Sequence, residues 1–199
     1  MKKLFILVLV LLMGIMGTAS ASKSKFKDPN FDFKNMINIY LAEAKYTPYN
    51  VSKDFREDGD PVNRALNAVR TAMAKKNKYL VVPPEEPTRA RVDLSLVVHC
   101  LGTFTYWREP WIEERVENEK IEKTDKNGKK TTYTFPVKKV IQHPGKWITD
   151  AYAGVEFTLK DRNTGRTIYN LRDDRKREEI ESYDGMLNRI ATDFVNDLK

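Results

Sequence analysis

The sequence predicts an α+β fold, a two-layer sandwich in which two helices cover one face of a mainly antiparallel sheet, plus a long protruding β-hairpin. Three observations predict it. Apolar residues recur at helical spacing over Val62–Met73 and Leu187–Leu198. Apolar and polar residues alternate with the two-residue strand period over Arg91–Leu101 and Ala151–Leu159. Asn127-Gly128 stands between two stretches able to extend, and this dipeptide is a strong short hairpin signal.

The chain opens with Met1-Lys2-Lys3, an apolar run from Leu4 to Gly17, and Thr18-Ala19-Ser20-Ala21. Positive charge, a short apolar stretch and an Ala-x-Ala site form the pattern of a secretory signal peptide over residues 1–21. The run falls short of the roughly 20 residues a spanning helix needs, so cleavage after Ala21 is expected, with a retained anchor as the alternative. Removing residues 1–21 takes two lysines and no acid, lowering the formal charge from +7 to +5. The expected location is outside the cytosol: periplasmic, cell-surface or extracellular. No cysteine near residue 21 offers a site for lipid attachment.

Residues 22–30 are polar and basic and read as a flexible leader, with a single domain expected over 31–199. A first strand is expected within Asn35–Ala42, followed by a loop over Glu43–Gly59 that holds Pro48 and Asn50. Asp60 suits a helix cap and Pro61 the first turn, ahead of an apolar face of Val62, Leu66, Val69 and Met73. Lys75, Lys76 and Lys78 gather where a helix end favours cations. Tyr79–Val82 reads as a short strand, Pro83–Pro87 as a surface connection, and Arg91–Leu101 as a buried strand. An insertion at about 102–146 holds the hairpin, from about Glu113 to Ile141, with a charged helix over Glu113–Lys123 as the competing reading. Ala151, Ala153, Val155, Phe157 and Leu159 form one strand face, Asp161–Gly165 a turn, and Thr167–Arg172 the returning strand. Arg172–Glu181 mixes both charges and reads as a solvated strand end or loop. The terminal helix spans Tyr183–Leu198, capped by Ser182, with Leu187, Ile190, Ala191, Phe194, Val195 and Leu198 buried.

The chemistry is sparse. One cysteine excludes a disulfide framework and any multi-cysteine metal site. Strand parity places Cys100 on the apolar face with Val92, Leu94, Leu96 and Val98, as a small core residue rather than a reactive thiol, and His99 on the opposite face. There is no Gly-x-Ser-x-Gly, phosphate-cradling loop or His-Glu-x-x-His, so no catalytic, cofactor-binding or metal-ligating residue is expected. The pairs Glu113-Glu114, Asp173-Asp174 and Glu178-Glu179 lie in mixed-charge runs, and His143 precedes a Pro144-Gly145 turn. Lys120, Lys123, Lys126, Lys129, Lys130, Lys138 and Lys139 cluster on the hairpin around Tyr133 and Phe135, an arrangement that can hold a polyanion. Five glutamates and Asp125 dilute that field, and export argues against nucleic acid as the ligand. Phe104, Tyr106, Trp107, Trp111 and Trp147 brace the base of the hairpin or form a ligand platform. The candidate partner-binding residues are Tyr106, Trp107, Trp111 and Trp147, since aromatic side chains desolvate large areas at binding surfaces.

Asp28-Pro29-Asn30-Phe31-Asp32-Phe33 before a strand, Val92-Asp93-Leu94, the Leu159-Lys160-Asp161…Thr164-Gly165 hairpin and the final amphipathic helix resemble uncharacterised bacterial secreted and periplasmic envelope domains, of the kind also found in lipoproteins. They are similar, more distantly, to the amino-terminal α/β domain of the periplasmic TolB protein. The resemblance covers about Asp28–Leu101 and Ala151–Lys199 and implies a domain that helps build envelope assemblies. It brings no catalytic residues, and the chain departs from it by lacking a lipid-bearing cysteine and by inserting Gly102–Lys146. The expected function is an exported, non-enzymatic interaction or assembly module contacting an envelope protein. The alternatives are a cell-surface polyanion-binding protein and an unrecognised hydrolase built around His99 or His143.

Overall fold

The computed structural model describes residues 21–48, 54–76, 79–82 and 85–198. The expected export signal, Ala21 apart, lies outside them. The chain forms two compact units, one from the described residues up to Thr105 and from Thr149 onward, the other Tyr106–Ile148.

The larger unit is a mixed sheet with two helices. Its strands are β1 (Ala21–Lys27), β2 (Asn38–Tyr46), β3 (Phe55–Glu57), β4 (Leu80–Val82) and β5 (Val92–Arg108), with α1 (Pro61–Lys76) between β3 and β4. The smaller unit holds β6 (Trp111–Thr124) and β7 (Lys130–His143), and the chain returns as β8 (Lys146–Asp161), β9 (Thr167–Arg177) and α2 (Asp184–Asp197). The seven-stranded sheet runs β1-β9-β8-β5-β2-β4, with β3 also paired to β5. Strand β2 is parallel to both β4 and β5, whereas β1–β9, β8–β9 and β3–β5 are antiparallel. Parallel neighbours need a crossover, and α1 supplies one between β2 and β4.

Residues of this sheet and of both helices form a common buried core. Val92, Leu94, Leu96 and Val98 of β5 and the five expected residues of β8 are fully buried. So are all six residues expected on the terminal helix, five within α2 and Leu198 at its C-cap, joined by Met186. Phe194 stacks on Phe157 with centroids 4.3 Å apart and leans on Tyr169 at 5.7 Å. On α1 the buried face is Ala65, Ala68, Val69, Ala72 and Met73, with Val62 and Leu66 at its margin. The alanines bring α1 close to its neighbours, which apolar spacing alone did not reveal. Asp60 caps α1 as expected, its side chain accepting from the Asn63 N–H at 3.3 Å.

Several expectations are corrected. Residues 22–30, read as a flexible leader, carry β1, which pairs with β9 along its whole length. Its lysines face acids of the sheet and of α2: Lys23 reaches Asp173 and Asp193, and Lys25 reaches Asp197 at 3.2 Å. The Glu43–Gly59 loop instead continues β2 to Tyr46 and contains β3. β9 runs to Arg177 rather than ending in solvent, because Asp173 is buried and held by two Arg175 hydrogen bonds of 2.8 and 2.6 Å. At the start of α2, Tyr183 makes no side-chain cap hydrogen bond, and the Ser182 hydroxyl accepts from the Asp184 N–H at 3.4 Å, as its expected capping role requires. Tyr183 instead donates its hydroxyl to Asp58, which also pairs with Arg64 of α1 at 2.6 Å.

Phe194→Ala should lower unfolding free energy by about 3–5 kcal/mol, because a stacked buried ring leaves a cavity. Val116→Ala, 68% exposed, should change it by less than about 0.5 kcal/mol. Denaturant unfolding of the two variants checks the contrast.

Candidate functional site

The smaller unit is an antiparallel ribbon, with β6 and β7 paired from Trp111↔His143 to Thr124↔Lys130. Both segments extend, which decides against the charged-helix reading of Glu113–Lys123 and widens the pairing beyond Glu113–Ile141. The reversal is built on Asp125. Its carbonyl accepts from the Gly128 N–H at 3.0 Å, and its carboxylate from the Asn127 and Lys129 N–H groups at 2.9 Å each. Only Gly128 of the expected dipeptide has positive φ, at 78°. The turn is therefore a three-residue loop with a left-handed glycine, not the two-residue form.

That detail positions the site. A two-residue Asn-Gly turn would set Trp111 opposite Pro144; the longer loop shifts the register by one and sets it opposite His143. The two rings stack with centroids 4.0 Å apart and an 8° interplanar angle. Nε2 of His143 lies 2.9 Å from Oε2 of Glu113, so the histidine is fixed from two sides. His143, read from sequence as a surface histidine preceding the Pro144-Gly145 turn, is the member of this aromatic group that sequence reasoning missed.

Within the same unit Trp107 and Trp147 meet edge to face at 5.6 Å. A Cβ on Gly145 would collide with the Trp107 ring, so only glycine lets the backbone pass beneath that indole. Tyr106 is half-buried and accepts weakly from Arg108 at 3.4 Å. Trp107, Trp111 and Trp147 remain 44%, 42% and 69% exposed. The structure thus places the four expected residues in one unit, with two aromatic pairs held by ring contacts and open to solvent. Phe104 lies in the larger unit, opposite Phe55 of β3.

The other residues singled out from sequence have settled roles. His99 is buried, with Nδ1 donating to the Thr47 carbonyl at 3.3 Å and Nε2 3.1 Å from Glu156. Burial pushes the Glu156 carboxyl up, but hydrogen bonds from Asn170 and His99 outweigh this and hold it below the usual range. Cys100 does not join the core face as strand parity implied. It is half-buried near Asp174 and Arg172, on the same side as Glu156, so the alternation of β5 breaks at His99–Cys100. Burial, with Asp174 adding to it, pushes the Cys100 thiol up to about 11, which leaves it a protonated, weak nucleophile at neutral pH. A cavity of about 320 Å³ is lined by residues of β1, β9 and α2, among them Lys23, Arg175 and Arg189, and by neither histidine. Among the described residues no three His, Cys, Asp or Glu side chains gather as metal ligands.

Gly145→Ala should displace Trp107 from Trp147 while the larger unit stays folded. The expected record is a changed tryptophan emission and near-ultraviolet circular dichroism with an unchanged far-ultraviolet spectrum.

Neither a family model nor a curated protein matches the chain. Among solved structures, a single-substitution variant of the PelC dodecamer from Paraburkholderia phytofirmans superposes with a TM-score of 0.50 at 15% identity, covering 89% of this chain and 98% of that one. A second PelC dodecamer structure from that organism gives 0.49 at 14% identity, covering 87% and 94%. A PDZ domain protein from Parabacteroides distasonis gives 0.34 at 10% identity, with 92% of this chain spanning 37% of that one. The first of these likenesses is one of fold.

Proposed function

We propose that this chain is an exported, non-enzymatic interaction or assembly module of the bacterial cell envelope, binding a protein partner through the β6–β7 ribbon or its tryptophan root. One observation carries the reading: three tryptophans stand exposed at the root of a ribbon whose strands pair only with each other among the described residues. Tryptophan concentrates binding energy because it desolvates a large area around one polar handle. The Trp107–Trp147 and Trp111–His143 contacts fix these rings in advance, so less side-chain entropy is lost on binding. Two helices on one side of the sheet support a two-layer sandwich. The pattern of residues 1–21 supports export, and the resemblance to envelope domains supports the location. The fold likeness to a protein solved as a dodecamer supports an assembly role.

The polyanion alternative has a specific observation behind it, since β7 carries Lys130, Lys138 and Lys139 and no acid. Each lysine is already paired to β6: Lys138 to Glu114 at 2.6 Å, Lys139 to Glu117 at 2.8 Å and Lys130 to Glu122 at 3.8 Å. Their field is largely neutralised within the ribbon, which favours the protein reading. The hydrolase alternative needs a substrate pocket beside a histidine, and the cavity of about 320 Å³ is lined by neither His99 nor His143.

A photo-crosslinking residue at Lys126, in living cells, tests the reading. The expected result is a discrete crosslinked protein, reduced more than about tenfold by Trp111→Ala or Trp147→Ala, the loss typical of a central aromatic contact. A signal unaffected by both substitutions contradicts it. Binding abolished by moderate salt and retained without the tryptophans would favour the polyanion reading.

A further inference from the structure

We infer that the partner strand of the ribbon is a second copy of this chain: the root half of β6 in one copy pairs head to tail with the root half of β7 in the next. This rests on the assembly reading above and gives it a partner and a geometry. Among the described residues the β6–β7 sheet has two strands, so each presents an outer edge without a backbone partner there, and such edges are templates for another strand.

The two edges differ in charge. From Trp111 to Glu117, β6 carries Glu113, Glu114 and Glu117 against Arg115; from Val137 to His143, β7 carries Lys138 and Lys139 and no acid. Within one ribbon these sequences already recognise each other, through Lys138–Glu114 and Lys139–Glu117. A β6 arriving on the outer side of β7 continues the alternation of acidic and basic strands beside Lys138, which holds Glu114, and Lys139, which holds Glu117 and Glu119. The same contact covers exposed apolar surface. Ile112, Val116 and Val140 share one ribbon face at 63%, 68% and 58% exposure, and a neighbouring β6 sets its Ile112 and Val116 beside Val140.

Pro136 sets the limit of this pairing. The Asp125 N–H donates to the Lys129 carbonyl, so Asp125↔Lys129 is a hydrogen-bonded pair and the pairs alternate from there. Asn118↔Pro136 then falls at a non-hydrogen-bonded pair, where the residue's N–H would face outward, and proline has none. The outer edge of β7 is interrupted at Pro136 and open from Val137 to His143, the stretch that carries Lys138, Lys139 and Val140. Since the edges used are different, the contact is heterologous and propagates to a ring or a filament.

Charge exchange on the full chain, read by native mass spectrometry and light scattering, tests this. The unmodified chain should associate, and Lys138→Glu with Lys139→Glu should weaken association by more than about tenfold, since like charges then meet across the contact. Glu114→Lys with Glu117→Lys should do the same. All four changes together restore complementarity within and between chains, so that variant should associate with itself and fail to co-assemble with the unmodified chain. In a Cys100→Ser background, mixing Ile112→Cys chains with Gln142→Cys chains should give crosslinked pairs of unlike chains, dominant over pairs of like chains. The inference is overturned if the unmodified chain stays monomeric at its highest soluble concentration, if the fourfold variant co-assembles freely with it, or if like-chain crosslinks dominate. A monomeric chain that still captures a different envelope protein in a tryptophan-dependent way would overturn this inference and leave the assembly reading's partner surface intact.

Discussion

The larger unit depends on covering one apolar sheet face with α2. Phe194 packs flat on Phe157 and against Tyr169, so a single helix residue ties β8 to β9. That seating also sets the charge pattern at the sheet edge. It brings Asp193 and Asp197 over the lysines of β1 and puts Asp193 within 2.8 Å of Arg175. Arg175 in turn neutralises buried Asp173, which alone would be too costly to take out of water. β1 is thus held by a ladder to β9 and by ion pairs to a helix some 170 residues away in sequence.

The ribbon follows different rules. Its two strands have no helix or third strand among the described residues to bury a face against, and isolated two-stranded ribbons are marginal in water. What orders it is local: the Asp125 turn, cross-strand ion pairs between β6 glutamates and β7 lysines, and two ring contacts at its root. Exposed cross-strand pairs each contribute roughly 0.2–1 kcal/mol. A partner that covered the tryptophans would add to a structure with little burial of its own, which is the physical reason for proposing the binding surface there.

Most of the larger unit was legible wherever one periodicity ran unbroken. The α2 stripe and the β8 alternation are examples, because each residue there answers to a single buried face. What escaped had causes distant in sequence. β1 reads as a polar leader because its lysines are matched by acids of α2, and β9 reads as ending early because Asp173 is matched by Arg175 and Lys23. Cys100 escaped because one break in the pleat inverts parity beyond it. At the site, the four aromatic residues were legible from composition and spacing. The Trp111–His143 stack was not, since it depends on a one-residue difference in turn length that Asn127-Gly128 alone does not specify.

Hydrogen exchange of backbone amides, in dilute chain and after addition of the proposed partner, a concentrated second portion of the same chain, measures the central claim most directly. The account predicts that amides of β5, β8 and β9 exchange slowly in both samples, whereas those of β6 and β7 exchange much faster in the dilute chain and slow when the partner is added. Ribbon amides as protected as the sheet in the dilute chain, or unchanged by the partner, would contradict it.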